Sequence, residues 1–269
     1  MIANINYVKS VMGDLRAKKK YGQNFLIDSN IVDKIASIAC SKDLKTIEIG
    51  PGLGSLSEML LKYSDSVDAY EIDKDMYEIL NNNINDDRFK VYLGDFLDTD
   101  LSVYKDKVNV CGNLPYYVTT PILFKIIESD LDINKLTIMV QKEVGDRIVA
   151  KVGSEDYSAL SIEIQYLFDV KNEMNVSRNV FYPVPGVDSI VVSFIPKVKR
   201  NHEFEDKFFK LVKDSFRMRR KTLHNNLKDI YDEDVIKKVF DKLDIKDNIR
   251  AQEMSLDMFI KMYEVINEG

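Results

Sequence analysis

Residues 45–55 read Lys-Thr-Ile-Glu-Ile-Gly-Pro-Gly-Leu-Gly-Ser. A short β-branched run stops at Ile49. Glycines follow at alternate positions, Gly50, Gly52 and Gly54, and a helix-period stretch opens at Ser55. Strand, glycine turn and helix in that order begin a βαβ unit. From there the alternation continues in both directions. Strands are predicted at Thr46–Ile49, Val67–Glu71, Lys90–Leu93, Val108–Cys111, Leu136–Val140, Val170–Val176 and Ile190–Ile195, with helices over Ser55–Tyr63, Lys74–Asn82 and Pro121–Glu128 between them. Seven strands alternating with helices predict an α/β fold with a doubly wound, Rossmann-like sheet. Ser29 reads as the N-cap of an earlier helix with an apolar stripe at Ile31, Ile35 and Ile38. Past Pro196 and the charged break Lys197–Arg200 only helical periodicity remains. The expected division is therefore a sheet domain over residues 1–196, with a basic arm and motif loop over 1–28, and an all-helical domain over 197–269.

The 269-residue chain is 45% hydrophobic and 30% charged, an ordinary globular mix. It contains no apolar run near the ~20 residues that would cross a bilayer. Met1–Val11 lacks the apolar stretch of a signal peptide, so a cytoplasmic protein is expected. Cys40 and Cys111 stand far apart, and the two histidines, His202 and His224, fall in the helical tail, so no metal site is expected. The net charge of −6 is unevenly spread. Residues 1–27 carry +4 and residues 197–224 carry +6, which leaves −16 for the rest. An acidic body with two basic patches can still meet a polyanion locally. Solvated surface charge is the competing explanation.

Ligands of open α/β sheets lie beyond the carboxyl ends of the strands. The first strand end, Gly50-Pro51-Gly52-Leu53-Gly54, permits a tight turn and close approach of a ligand to the backbone. Ser55 stands where a dinucleotide fingerprint wants its third glycine, and no Lys-Ser or Lys-Thr follows as in a P-loop. Glu71 ends the second strand, 21 residues after Gly50, where a carboxylate can accept from two ribose hydroxyls. Asp95 and Phe96 follow the third strand and suit an adenine amino group and face. A strand-end acid and a turn aspartate are the plain alternatives. Together these ends describe an adenosine pocket without a phosphate clamp, which matches S-adenosyl-L-methionine better than NAD.

The fourth strand end, Gly112-Asn113-Leu114-Pro115-Tyr116-Tyr117, is the more specific signal. Pro115 has no N–H to donate and fixes its φ. The Asn113 amide oxygen and a backbone carbonyl can both accept from an exocyclic amino group while Tyr116 stacks on its base. The adenine amino lone pair is delocalised into the ring. Two acceptors on its protons favour a pyramidal, nucleophilic nitrogen, so no base is needed before attack. A β-turn with an aromatic plug is the alternative. No G-x-S-x-G elbow supports a hydrolase.

With these residues in view, the chain resembles the ribosomal RNA adenine N6-dimethyltransferases, and within them the 16S rRNA, kasugamycin-sensitivity family. The resemblance runs through Tyr21-Gly22-Gln23-Asn24-Phe25-Leu26, the glycine loop, Glu71, Gly94-Asp95, Asn113–Tyr116, Gln141-Lys142-Glu143-Val144, Phe181-Tyr182-Pro183-Val184-Pro185, Val187-Asp188-Ser189 and Phe216–Leu223. It implies a class I S-adenosylmethionine-dependent methyltransferase domain followed by a small helical domain. It implies cofactor contacts at Asn24, Leu26, Gly50, Gly52, Glu71, Asp95 and Asn113, and catalytic roles for Asn113, Leu114, Pro115, Tyr116 and Phe181, the last packing on the target adenine. On its residues alone Phe181, ahead of two prolines, is a loop anchor into the core. Gly186 departs from the lysine usual in the family, which puts one phosphate contact in doubt. The implied substrate is two adjacent adenosines in the 3′-terminal hairpin loop of 16S rRNA, each doubly methylated during small-subunit biogenesis by a monomeric enzyme. Lys18, Lys19, Lys20, Arg217, Arg219, Arg220 and Lys221 are the expected RNA contacts. Leu114 and Arg219–Leu223 favour the 16S branch over the related erythromycin-resistance 23S rRNA methyltransferases. An RNA-binding assembly protein without catalysis and a small-molecule or protein N-methyltransferase are the competing functions.

Overall fold

The structure, a computed structural model, describes residues 3–13, 16–115, 118–197 and 200–268. Its strands are β1 (Phe25–Leu26), β2 (Lys45–Ile49), β3 (Val67–Glu71), β4 (Phe89–Leu93), β5 (Val108–Asn113), β6 (Ile133–Gln141), β7 (Phe168–Val176), β8 (Phe181–Tyr182) and β9 (Ser189–Pro196). Its helices are α1 (Ile5–Met12), α2 (Ser29–Ala39), α3 (Ser55–Tyr63), α4 (Lys74–Asn83), α5 (Thr119–Glu128), α6 (Lys142–Ile148), α7 (Ala159–Leu167), α8 (His202–Ser215), α9 (Leu223–Leu227), α10 (Glu233–Leu243) and α11 (Leu256–Asn267).

Seven strands form one sheet in the order β4-β3-β2-β5-β6-β9-β7. The pairs from β4 to β6 are parallel, and β9 runs antiparallel to β6. All seven expected strands are present, with ends displaced by at most three residues. β2 is buried from Thr46 to Ile49, as a central parallel strand covered on both faces must be. The chain winds outward from β2 through β3 to β4, then returns to β5 on the other side of β2. That reversal opens a crevice at the carboxyl ends of β2, β3 and β5. Gly112, at the end of β5, is required there because a Cβ would lie 2.8 Å from the Ile49 carbonyl of β2.

Two elements escape periodicity. β1 and β8 pair antiparallel as a separate two-stranded sheet, Phe25 opposite Tyr182 and Leu26 opposite Phe181. The expected basic arm contains a helix instead. α1 is capped by the Asn4 side chain and buries Val8 and Met12 against Phe25, Leu53 and Met76. The cap of α2 is Asp28 rather than Ser29, since its carboxylate accepts from the N–H groups of Asn30 and Ile31.

The chain divides into two compact units, residues 1–145 with 171–196, and residues 146–170 with 197–269. Residues 146–170, expected within the sheet domain, group with the helical unit, and the reason lies in their apolar side chains. Ala150, Tyr157 and Ile162 share a core with Phe208, Leu211, Met254 and Phe259, and α7 packs on α8 and α11. No helix among the described residues is long and apolar enough to cross a membrane.

Candidate active site

One cavity at the crevice collects residues from β1, β2, β3 and β5. Asn24, Leu26, Gly50, Gly52, Glu71, Asn113, Leu114 and Pro115 all line it, with Tyr21, Gln23, Phe25, Glu48 and Ser55. Gly50 and Gly52 have φ of 67° and 58°, so the turn after β2 needs residues without a Cβ. At Gly52 a Cβ would also meet the Phe25 ring at 3.2 Å.

Glu71 is buried, and its two carboxylate oxygens accept from the backbone N–H of Gly52 at 2.9 Å and of Asp73 at 2.8 Å. It thus ties the glycine turn to the turn after β3. Burial raises its pKa, and the two backbone donors partly oppose that rise. Glu48 also lines the cavity at 1% exposure, and its Oε2 has no hydrogen-bond partner among the described residues. Burial and the nearby Glu71 push it up to about 8. A glycine turn beside a strand-end carboxylate suits an adenosyl group, and no lysine or arginine among the described residues lines the cavity to clamp a pyrophosphate.

Asn113 is held by a single bond whose direction is unambiguous. A backbone carbonyl can only accept, so the 3.1 Å contact with the Asn24 carbonyl fixes Nδ2 as the donor. The amide Oδ1 is left without a partner among the described residues, and Asn113 lines the cavity. Leu114 donates its N–H to Met139 and buries its side chain. The Pro115 carbonyl is already taken, by the Val118 N–H at 3.1 Å and the Thr119 hydroxyl at 3.2 Å. Of the two carbonyls in that turn, only Leu114's accepts no hydrogen bond from the described residues. Tyr116 lies outside the described residues.

Several expected residues sit elsewhere. Asp95 follows β4 beside the crevice but does not line the cavity. Its carboxylate caps a short turn through the Leu97 N–H at 2.9 Å. Phe181 requires a correction. It is 1% exposed and packed among Leu26, Val32, Ile35 and Val191, so its ring is a core anchor and offers no face to an adenine here. Lys18 also departs from expectation. Its ammonium pairs with Asp73 and Asp75, both at 2.6 Å. The hydrogen bonds to those carboxylates raise its pKa well above the usual lysine range. Gln23 reinforces this join by donating to Asp73 at 2.7 Å and accepting from the Lys18 N–H at 2.8 Å. Lys18 is therefore a clasp on the loop that forms one cavity wall, and is not free to meet phosphate. Lys20 is exposed with its ammonium 4.4 Å from the Tyr21 ring centroid. The Lys19 side chain lies outside the described residues.

Arg217, Arg219, Arg220 and Lys221 are exposed on the loop between α8 and α9, not on a helix face. Arg219 donates to the Glu155 carbonyl. Neighbouring cations are neutralised: Lys197 pairs with Asp169, Arg200 with Glu205, Lys207 with Glu203, Lys210 with Asp214 and Lys213 with Glu163. No such ion pair forms at the four loop cations among the described residues.

Sequence reasoning missed Glu48 and Asp73. Glu48 signals itself as the one charged residue inside the buried run of β2. Asp73 is an N-cap signal, directly before a helix, and its carboxylate caps α4 through the Asp75 N–H. No group of His, Cys, Asp and Glu among the described residues could hold a metal.

A doubly wound sheet, an adenosyl cavity at its switch point and an oriented Asn-Leu-Pro turn define a class I methyltransferase acting on an amino group. Comparison with known proteins specifies it further. The sequence profile of the family "Ribosomal RNA adenine dimethylase" matches residues 14–268. Ribosomal RNA small subunit methyltransferase A of Mycoplasmopsis pulmonis is 41% identical over 93% of this chain and 98% of its own. The protein of the same name from Clostridioides difficile is 39% identical over 99% and 97%. A dimethyladenosine transferase from Plasmodium falciparum superposes with a TM-score of 0.73 at 28% identity, covering 88% of this chain and 95% of that one. The 23S rRNA methyltransferase ErmE shares the fold, with a TM-score of 0.73 at 23% identity. The chain belongs to the ribosomal RNA adenine dimethylase family. It is an S-adenosyl-L-methionine-dependent enzyme that dimethylates adenosine in ribosomal RNA.

Proposed function

We propose that the enzyme transfers four methyl groups to the N6 atoms of two adjacent adenosines in the 3′-terminal hairpin loop of 16S rRNA, as a cytoplasmic, metal-independent monomer acting during small-subunit biogenesis. The observation that carries the reading is the fixed orientation of Asn113. Its Nδ2 is committed to the Asn24 carbonyl at 3.1 Å, so its Oδ1 is preorganised to accept from an adenine amino group. The Leu114 carbonyl supplies the second acceptor. Two acceptors draw the amino lone pair out of the ring and aim it along the transfer axis. Bound S-adenosylmethionine supplies the electrophilic methyl group. Glu71 accepts from the ribose hydroxyls, Gly50, Gly52, Asn24 and Leu26 border the adenosyl and methionyl groups, and Asp95 approaches the adenine edge. Tyr116 stacks on the target base. Loop adenines are splayed at lower cost than paired ones, which favours a hairpin loop as substrate. The helical unit, with the acid-free loop of Arg217, Arg219, Arg220 and Lys221, binds the RNA backbone.

The test is incubation with radiolabelled S-adenosylmethionine and unmethylated small subunits, followed by nucleoside analysis. Label is expected in N6,N6-dimethyladenosine alone. Asn113→Ala should lower the rate by roughly 10²–10³ with the fold intact. A variant within a few-fold of wild type would remove Asn113 from the chemistry. Label in another nucleoside would overturn the substrate.

A further inference from the structure

Beside the cofactor cavity, within the sheet unit, lies a second cleft that the reaction so far leaves unused. It measures about 430 Å³ and is lined by Lys9, Met12 and Arg16 from the segment at and after α1, and by Tyr182 and Pro183 after β8. That volume falls within the roughly 300–1,000 Å³ of small-ligand sites. Among the described residues its lining contains two cations, an aromatic ring and no acid. Lys9 and Arg16 are exposed and form no ion pair with described residues. The Lys9 ammonium stands over the Tyr182 ring, 5.8 Å from its centroid, at the outer limit of a cation–π contact. Val184, just beyond Pro183, is 58% exposed.

The cleft is joined to the cavity by one residue. Phe25 lines the cavity and pairs with Tyr182 across the β1–β8 ribbon, which places the two Cα atoms about 5 Å apart. Phe25 and Tyr182 also pack in one cluster with Met12 and Leu53. A base drawn into the cavity must unstack from its neighbour, and the neighbour then needs another flat surface. We propose that this cleft is a nucleotide subsite for single-stranded RNA. The Tyr182 ring stacks on the base adjoining the target adenosine, and Lys9 and Arg16 take the phosphates beside it.

The proposal rests on the RNA-methylation reading and is tested separately from it. The probe is a fluorescein-labelled single-stranded RNA nonamer with a central adenosine, alongside versions made abasic at either neighbouring position. Anisotropy is read with the full chain saturated with S-adenosylhomocysteine. One abasic position should weaken binding by about ten-fold in the wild type. Tyr182→Leu keeps the apolar volume and removes the aromatic face. It should bind the intact strand as weakly as wild type binds the abasic one, with no further loss on the abasic strand. Tyr182→Phe should restore the difference. Lys9→Gln and Arg16→Gln should each flatten the log K against log salt slope by about 0.7. Tyr182→Leu binding the intact strand within two-fold of wild type, with an unchanged melting curve, would overturn the subsite. So would wild-type protein that does not distinguish intact from abasic strands. Failure of wild type to methylate small subunits would instead sink the functional reading and leave the anisotropy result standing.

Discussion

Replacing Glu71 by alanine tests the cofactor site and its scaffold together. The carboxylate accepts from the Gly52 and Asp73 N–H groups at 2.9 and 2.8 Å. Each such bond to a charged acceptor is worth ~1.5–3 kcal/mol. The folded protein does not gain their full sum, because Glu71 is 4% exposed and burial raises its pKa. Alanine recovers that desolvation cost but strands two backbone donors. A net stability loss of about 1–3 kcal/mol follows. Cofactor affinity should fall by a further ~1.5–3 kcal/mol, about 10- to 150-fold, as the ribose loses its charged acceptor. Thermal melts followed by circular dichroism read the first quantity, and titration calorimetry with S-adenosylmethionine reads the second. A cofactor analogue lacking both ribose hydroxyls closes a double-mutant cycle. Wild type should lose on the analogue about what Glu71→Ala loses on the natural cofactor, and the variant should not distinguish the two ligands. Glu71→Gln should fare no better than alanine, since its amide nitrogen must face one of the two N–H groups. An additive cycle, with the variant losing as much on the analogue as wild type does, would show that the ribose hydroxyls are held by other groups.

Three further outcomes follow from the same geometry. Glu48 keeps its proton in the folded state up to about pH 8, whereas an unfolded glutamate releases it near its ordinary value of about 4.3. Between those values the native state holds the extra proton, so stability should fall as pH rises, by up to about 1.4 kcal/mol per pH unit. Glu48→Gln should flatten that slope in denaturant titrations, and a wild-type slope of zero from pH 5 to 8 would refute the assignment. Lys18→Ala should lower cofactor affinity and local stability by about 1 kcal/mol, because the clasp to Asp73 and Asp75 is only half-buried. Its RNA affinity should be unchanged, and the reverse pattern in filter binding and calorimetry would return Lys18 to the RNA surface. The triple alanine variant of Arg219, Arg220 and Lys221 should weaken RNA binding and flatten the salt slope by about 0.7–0.9 per lost phosphate contact, with cofactor affinity unmoved. An unchanged slope would make that loop ordinary surface.

The parts of the fold legible in the sequence are those governed by local periodicity. β3 runs from Val67 to Glu71 as the pattern predicts, and α3 from Ser55 to Tyr63. The strand ends then placed Gly50, Glu71 and Asn113 around one cavity, because parallel topology brings the carboxyl ends together whatever the loops do. The losses are long-range. β1 and β8 are two residues each, too short for any alternation to register, and they pair across more than 150 positions. Their pairing turns Phe181 into the core, which no local pattern around it foretells. Lys18 looks like one more member of a lysine run until the fold sets it against Asp73, 55 residues away. Residues 146–170 looked continuous with the sheet because the strand pattern resumes immediately after them.

The acidity of this RNA enzyme has a physical logic once its charges are sorted by partner. A cationic cofactor needs no basic lining, and no lysine or arginine among the described residues borders the cavity, where Glu71 stands at the strand end. Phosphate-binding cations must therefore stand outside the cavity. Counting residues cannot find them, since most lysines and arginines between 197 and 213 are already neutralised by a neighbouring acid. Arg217, Arg220, Lys221, Lys9 and Arg16 are exposed cations to which the fold gives no counter-ion among the described residues. A polyanion gains more by meeting such a cation than by displacing an existing partner, because the ion-pair energy is not already spent. On the proposed reading, affinity for RNA comes from a few uncompensated exposed cations, and specificity for adenine from two acceptors that carry no net charge. The first contribution should weaken steeply with added salt and the second should not.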